Sequence, residues 1–325
     1  MTGWLIVNEY LNTEKFRELH ELFMLAAEKK GITLIKYTNA DFIVKIDTGE
    51  VLSAAFNSEM PDFVIFYDKD ITLARALEGM GLILFNEADA IEICDSKLKT
   101  YECVAAYNVS ASNSLAPKEA IRMPKTYRVP FTYENIDILE DANFSFLDAI
   151  EQELEYPIVI KECYSSFGMG VHLAFDRNEA IKLICKYGNK ECLIQEYVRA
   201  KDDRDEPSSD NIKAVDIRLQ MVGNTCVAAM MRSNENDFRA NITNGGTMNK
   251  YEPRECDIAL ASNVINAIGL DFAGIDVMFD ADGNPVFCEA NSNAHFKNLY
   301  DLTGINVAEN MLEYIKCHTD MQNYI

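Results

Sequence analysis

Cations are scarce in this chain. Lys and Arg together number 30 against 52 Asp and Glu, a formal net charge of −22 over 325 residues. A phosphate backbone needs a basic footprint, so the balance argues against nucleic acid as the main partner. A local basic cleft for a small phosphate-bearing ligand stays open. The acidic surface otherwise serves solubility or a basic partner. Histidine is scarcer still: His20, His172, His295 and His318 are the full set, and none is spaced with Cys as zinc ligands are. The nine cysteines contain no C-x-x-C pair. Their odd count argues for reduced thiols in the cytoplasm. No apolar run reaches the ~18 residues of a membrane span. The first residues, Met1–Val7, lack a charged segment and a cleavage site, so they read as a strand and not as a signal peptide. Neither a Walker A motif nor a G-x-G-x-x-G fingerprint is present.

What is there is a globular chain with 48% apolar and 25% charged residues. Strand and helix alternate over the first ninety or so residues, which implies a small parallel-sheet α/β domain at 1–93. Periodicity predicts a helix over Glu14–Lys30, stopped by Gly31, and another over Ile71–Gly79. Asp95-Ser96 opens a helix expected to end near Ala106. Asn108–Pro130 carries three prolines and reads largely as loop. Phe144–Leu154 reads as helix, Pro157–Lys161 as a buried strand, and Cys192–Val198 as a further strand. Later strands are Lys213–Val222 and Thr225–Arg232, joined by a Gly223-Asn224 turn, then Phe272–Phe279 and Pro285–Asn291. The polar run Lys201–Asn211 reads as a solvated insertion.

Three signals carry chemistry. The strand Phe272–Phe279 is apolar except for Asp276, and a lone buried carboxylate is costly unless paired or metal-bound. A turn centred on Asp282-Gly283 puts Asp276 opposite Glu289, with Asn291 on the same face. Opposed acids destabilise a bare sheet, but three such oxygens suit a hard cation, foremost Mg²⁺. The competing reading neutralises the acids with nearby Arg or Lys. The second signal is a set of cations on apolar elements: Lys97, Lys161, Arg218 beside Asp216, and Arg239 beside Asn241. Singly each reads as a salt-bridged or snorkelling residue; together they resemble a polyphosphate clamp. The third is Ser165-Ser166-Phe167-Gly168-Met169-Gly170, which reads either as a loop closing over phosphates or as a plain hairpin loop. His295 reads as an acceptor-orienting group or base, or as an ordinary loop residue.

Set in order, the segments DSKLKTYECVA (95–105), YPIVIKECYSSFGMGVHLAF (156–175), LIQEYV (193–198), VDIRLQMVGNTCVAAMMR (215–232), DFRANITNGG (237–246), FAGIDVMFDADGNPVFCEANSN (272–293) and LTGINVAENMLEYI (302–315) resemble the RimK-like carboxylate–amine ligases of the ATP-grasp superfamily, the group typified by an α-L-glutamate ligase. The resemblance runs from Asp95 to the end of the chain. It implies an ATP-grasp fold: a preceding α/β domain at 1–93 and two α+β lobes, 94–190 and 191–325, clasping ATP. It implies that Lys97 and Lys161 bind ATP, that Gln195, Glu196, Tyr197 and Val198 form the adenine hinge, and that Ser165, Ser166, Phe167, Gly168, Met169 and Gly170 cover the phosphates. Asp216 and Arg218 match the D-x-R strand. Arg239 and Asn241 lie by the triphosphate, and Arg232 faces the carboxylate substrate or its phosphate. On the same resemblance, Asp276, Glu289 and Asn291 are expected to hold one or two Mg²⁺ ions, with Mn²⁺ as a substitute.

The implied reaction is ATP-dependent amide formation through an acylphosphate, adding an amino acid to an amino-acid, peptide or protein-tail acceptor. The alternatives are a nucleotide-binding sensor or scaffold, or a phosphotransferase on the same fold. Homo-oligomers are common among the proteins it resembles and leave the oligomeric state open, while the cytoplasmic location and the absence of membrane or nucleic-acid partners rest on the composition above. The sequence departs from the family after the last metal ligand. Asn291-Ser292-Asn293-Ala294-His295-Phe296 stands where relatives carry Ser-Pro-Gly or similar, so acceptor identity is not carried over. On this reading Asp276→Ala or Glu289→Ala abolishes ATP turnover with the fold intact.

Overall fold

The computed structural model describes all residues except 58, 114–118, 132–142, 167, 188, 200–213, 236, 241–244 and 323–325. Phe167, Asn241 and the 201–211 run therefore lie outside the described residues.

The chain opens with β1 (Thr2–Val7), α1 (Glu14–Lys30) and β2 (Thr33–Thr38). A small antiparallel hairpin follows, β3 (Ile43–Val44) and β4 (Val51–Leu52), and then come β5 (Phe63–Tyr67), α2 (Ile71–Gly79) and β6 (Leu84–Phe85). The four longer-range strands form a parallel sheet in the order β2-β1-β5-β6. Helix α1 ends where its periodicity predicts, with Gly31 at φ 66°, a left-handed turn that an L side chain would strain. Both faces of this sheet are covered, as parallel sheets require. Trp4 and Ile6 pack toward Phe42, Leu73 and Leu77. Leu5 and Val7 point the other way, into a core shared with Phe23 of α1 and with residues from the far end of the chain.

Next come α3 (Ala88–Asp95), α4 (Lys97–Ser112), β7 (Thr126–Arg128), α5 (Phe146–Ile150), β8 (Ile158–Glu162), β9 (Val171–Ala174), α6 (Arg177–Tyr187) and β10 (Cys192–Glu196). They build an antiparallel sheet, β7-β10-β8-β9. The last elements are β11 (Ala214–Val222), β12 (Thr225–Asn234), β13 (Thr247–Lys250), α7 (Glu255–Ile268), β14 (Phe272–Phe279), β15 (Pro285–Asn291), α8 (Lys297–Thr303) and α9 (Val307–Gln322). Their sheet runs β13-β12-β11-β14-β15, antiparallel throughout.

Several expectations are corrected. Asp95 closes α3, a helix the sequence reading lacks, and Ser96 alone caps α4 by accepting the Lys99 amide. Helix α4 runs past Ala106 to Ser112, because Ala111 is still buried against the core and no breaker intervenes. Within the expected loop at 108–130, Thr126–Arg128 pairs with β10. The helix expected at Phe144–Leu154 is only Phe146–Ile150, and the strand expected to reach Val198 stops at Glu196. Strand β13 and helix α8 are further additions. Their short lengths leave little periodic signal.

Candidate nucleotide and substrate site

The register of β14 and β15 decides the site. Near the turn Val277 pairs with Phe287 and Met278 with Val286. Extended unchanged, that ladder would set Asp276 against Cys288 and turn Glu289 to the opposite face. A bulge at this point shifts the register, so that Asp276 pairs with Glu289 and Gly274 with Asn291.

Cross-strand partners share a face, and so do residues two apart along a strand. Arg232, Asp216 and Met278 are therefore one row across β12, β11 and β14. Met230, Arg218, Asp276 and Glu289 form the next row. Charges alternate between the rows. Arg218 grips Asp276 with both prongs, Nε to Oδ1 at 2.6 Å and Nη2 to Oδ2 at 2.7 Å. Arg232 grips Asp216 likewise, at 2.6 Å on both bonds, and its Nη2 also lies 3.0 Å from Asp276 Oδ2. Two cations and two anions cancel. That makes it tolerable to bury Arg232 and Asp276, each 3% exposed. Burial pushes the Asp276 carboxyl up, but the guanidiniums of Arg218 and Arg232 together pull it below its ordinary value. Asp216 has Arg232 as its hydrogen-bonded cation among the described residues, and burial wins, raising it.

In front of this network a cleft separates the β7-β10-β8-β9 sheet from the β13-β12-β11-β14-β15 sheet. Lys97, Lys161, Ser165, Gly168, Gln195, Glu196, Tyr197, Val198, Asp216, Arg239 and Glu289 all line it. Arg218, Arg232, Asp276, Asn291, Ser166, Met169 and Gly170 are not on its wall. The first three lie in the buried network behind it. Lys97 starts α4 and reaches across: its Nζ donates to Ser165 O at 2.5 Å and stands 3.6 Å from Glu289 Oε1. It thus spans the loop after β8 and the acidic strand β15. Arg239 is clamped by Asp237 through both prongs and donates Nη1 to Gly168 O at 2.8 Å, tying the same loop from the other side. Gly170 is required by space, since a Cβ there would fall 2.5 Å from Ser165 Oγ. The Gln195 side chain is buried and committed to Thr126 Oγ1 at 2.8 Å, so any contact it makes with a base comes from its backbone.

Sequence reading passed over the apolar walls, among them Val159, Met278, Phe279 and Phe238. Alternation could have found two: Val159 lies two residues before Lys161, and Met278 two after Asp276. His295 is held by its Nε2, 2.9 Å from the Lys15 carbonyl, with its ring edge-on to Phe16. A carbonyl only accepts, so Nε2 carries the proton. Burial lowers the ring's pKa.

Among the described residues no three His, Cys, Asp or Glu side chains cluster as a metal centre. Asp276 and Glu289 supply two oxygens, and the third would come from Asn291, whose buried Nδ2 has no partner. Oxygen donors of this kind suit a hard cation. The set fits Mg²⁺ in type, with Asp276 at present balanced by arginine instead.

A family model, the RimK-like ATP-grasp domain, matches residues 112–315. The chain belongs to that family, whose members are ATP-grasp ligases forming C–N bonds. It is 32% identical to a probable alpha-L-glutamate ligase of Serratia proteamaculans, over 74% of this chain and 70% of that one. It is 30% identical to beta-citrylglutamate synthase B of Danio rerio, over 76% of this chain but only 54% of the synthase, so it spans about half that relative's length. The D-alanine–D-alanine ligase of Bacillus anthracis, solved in complex with ATP, shares the fold at a TM-score of 0.65 and 17% identity, over 98% of this chain and 97% of that one.

Proposed function

We propose that this ligase uses ATP and Mg²⁺ to activate a carboxylate as an acylphosphate and then joins it to an amine, adding an amino acid to an amino-acid, peptide or protein-tail acceptor. The carboxylate oxygen takes the γ-phosphoryl group and ADP leaves. The amine then attacks the acyl carbon, giving the amide, inorganic phosphate and a proton. One observation carries the reading: Lys97, Lys161 and Arg239 surround the same cleft that Glu289 enters from the β14–β15 pair. ATP would lie between the 94–190 and 191–325 lobes, with its base at the 195–198 hinge and its phosphates under the 165–170 loop.

Mg²⁺ bound at Asp276, Glu289 and Asn291 would neutralise phosphate charge and orient the γ-phosphoryl group. The chain's own residues do the rest. Lys97 and Arg239 hold the loop shut, keeping water from a hydrolysable acylphosphate. Lys161 is 8% exposed, pairs with no anion among the described residues, and offers its ammonium to a phosphate oxygen. Arg218 stands where it can exchange Asp276 for developing negative charge. Arg232 is a positioning residue that fixes both aspartates. The nine free cysteines suit a reducing compartment, and no helix among the described residues is long and apolar enough to cross a membrane.

The test is an ADP-release screen with Mg·ATP over paired amino acids and short peptides, followed by product mass. Both named relatives carry glutamate in their names, which makes L-glutamate the first probe. The expected product has lost one water relative to its two substrates. A product heavier by one phosphate would make the protein a phosphotransferase, and nucleotide binding without ADP release would make it a sensor.

A further inference from the structure

Among the described residues, five buried side-chain polar atoms have no partner, and four of them sit on Asp68, Asn291, Ser292 and Asn293. Such atoms are uncommon, because a buried polar group without a partner loses its hydration and gains nothing in return. Asp68 follows β5 at the carboxyl end of the parallel sheet and is 5% exposed. Its two oxygens are treated unequally. Asn8 Nδ2 at 2.9 Å and the Lys69 amide at 2.7 Å both donate to Oδ1, while Oδ2 receives nothing. Asn293 Nδ2 donates to the Asp68 backbone carbonyl at 2.7 Å. That bond fixes the amide and leaves Asn293 Oδ1 as a second acceptor without a donor. The adjacent ammonium, Lys69, is spent on Asp95 at 2.5 Å. Burial raises the Asp68 carboxyl above its ordinary value despite the help from Asn8 and from the Lys69 amide and charge.

Two buried acceptors on touching residues, one of them a carboxylate, call for a cationic group with several N–H donors. The place is next to the reaction centre. Asn293 is two residues beyond Asn291. Tyr67, beside Asp68, donates its hydroxyl to Ala294 O at 2.5 Å. Ala294 in turn lies against Gly274, on which the Arg218 side chain also rests.

We propose that Asp68 Oδ2 and Asn293 Oδ1 form an ammonium-recognition subsite for the amino-acid substrate, with Asn8 positioning Asp68. This rests on the ligase reading above and names the feature of the substrate that the site selects. Open ends of parallel strands commonly hold ligands, and here the strand ends supply Asn8 and Asp68.

The probes are L-glutamate and glutarate, which differ by the ammonium group. Each is titrated calorimetrically into the full chain loaded with Mg²⁺ and a non-hydrolysable ATP analogue. Wild-type protein should bind L-glutamate at least tenfold more tightly than glutarate. Asp68→Asn keeps the shape and the Asn8 bond but turns a donor toward the ammonium, so the preference should fall below threefold. Asn293→Ala, which removes the other acceptor, should lower it as well and serves if the first variant does not fold. No preference in the wild type, or an unchanged preference in folded variants, overturns the subsite. The ligase reading is tested apart from it, by hydroxamate formation from hydroxylamine, Mg·ATP and the amino-acid panel. Wild-type protein that forms no hydroxamate sinks that reading whatever the calorimetry gives.

Discussion

At the scale of single residues, the site is a balance of charge. Asp276 reads from sequence as a metal ligand whose loss spares the fold. In the structure it also neutralises Arg218 and Arg232, and Arg232 is almost wholly buried. Removing one partner of such a network strands the other charges in a low-dielectric interior. Asp276→Ala is therefore expected to lower unfolding stability by about 3–5 kcal/mol in urea, besides abolishing ADP release. Glu289 has a third of its side chain exposed and meets one cation at 3.6 Å. Glu289→Gln is expected to abolish ADP release while costing less than about 1 kcal/mol. Equal stability losses for the two variants would contradict this division. The i, i+2 relation of Asp216 to Arg218 was legible in the sequence. Which arginine grips which aspartate was not, because each grip crosses to another strand.

At the scale of elements, two remote cations pin the loop between β8 and β9. Lys97 holds the Ser165 end and Arg239 the Gly168 carbonyl, and the loop closes back on β8 where the Glu162 amide meets Gly170 O at 2.8 Å. Gly170→Ala would drive a methyl into Ser165 and to within 2.9 Å of the Glu162 Cβ. The loop must then shift away from Lys97. We expect the KM for ATP to rise about tenfold, the effect of roughly 1.4 kcal/mol, with little change in melting temperature, since the loop adds little to the core. Steady-state kinetics at varied ATP decides it. Long elements such as α1 and β14 matched their sequence pattern end to end, because a strong period and a clean stop are local. Taken alone, the 165–170 loop read more readily as a plain hairpin, because the residues that pin it come from 68 and 71 positions away.

At the scale of the whole molecule, the first and last segments share one core. Helix α9 packs on α1, and Tyr314 of α9 rings against Phe85 of β6 and Phe272 of β14. The Tyr314 hydroxyl donates to Asp271 Oδ1 at 3.0 Å. Burial pushes the Asp271 carboxyl up to about 6, with Glu87 adding to the rise and Tyr314 and His318 opposing it. The sign follows from linkage. The folded state holds this proton more tightly than the unfolded chain does, so the group costs stability as pH rises from the ordinary carboxyl value through about 6. Asp271→Asn keeps the acceptor for Tyr314 without the charge. It is expected to raise the melting temperature at pH 8 and to change it little at pH 4. A variant that melts alike to wild type at both pH values would refute the assignment.

The sequence by itself determined what repeats locally: the βα alternation, the ends of α1 and β14, the single carboxylate in an apolar strand, and the ordered segments of the family. Each of these is written in a short window of side chains. Only the tertiary structure decided the bulge that swings Glu289 round to Asp276, the arginine that answers each aspartate, and the meeting of Asp68 with Asn293, 225 residues apart. Those outcomes depend on strand register and on which distant surfaces close together. Both are set by the packing of the whole chain, so no local period encodes them.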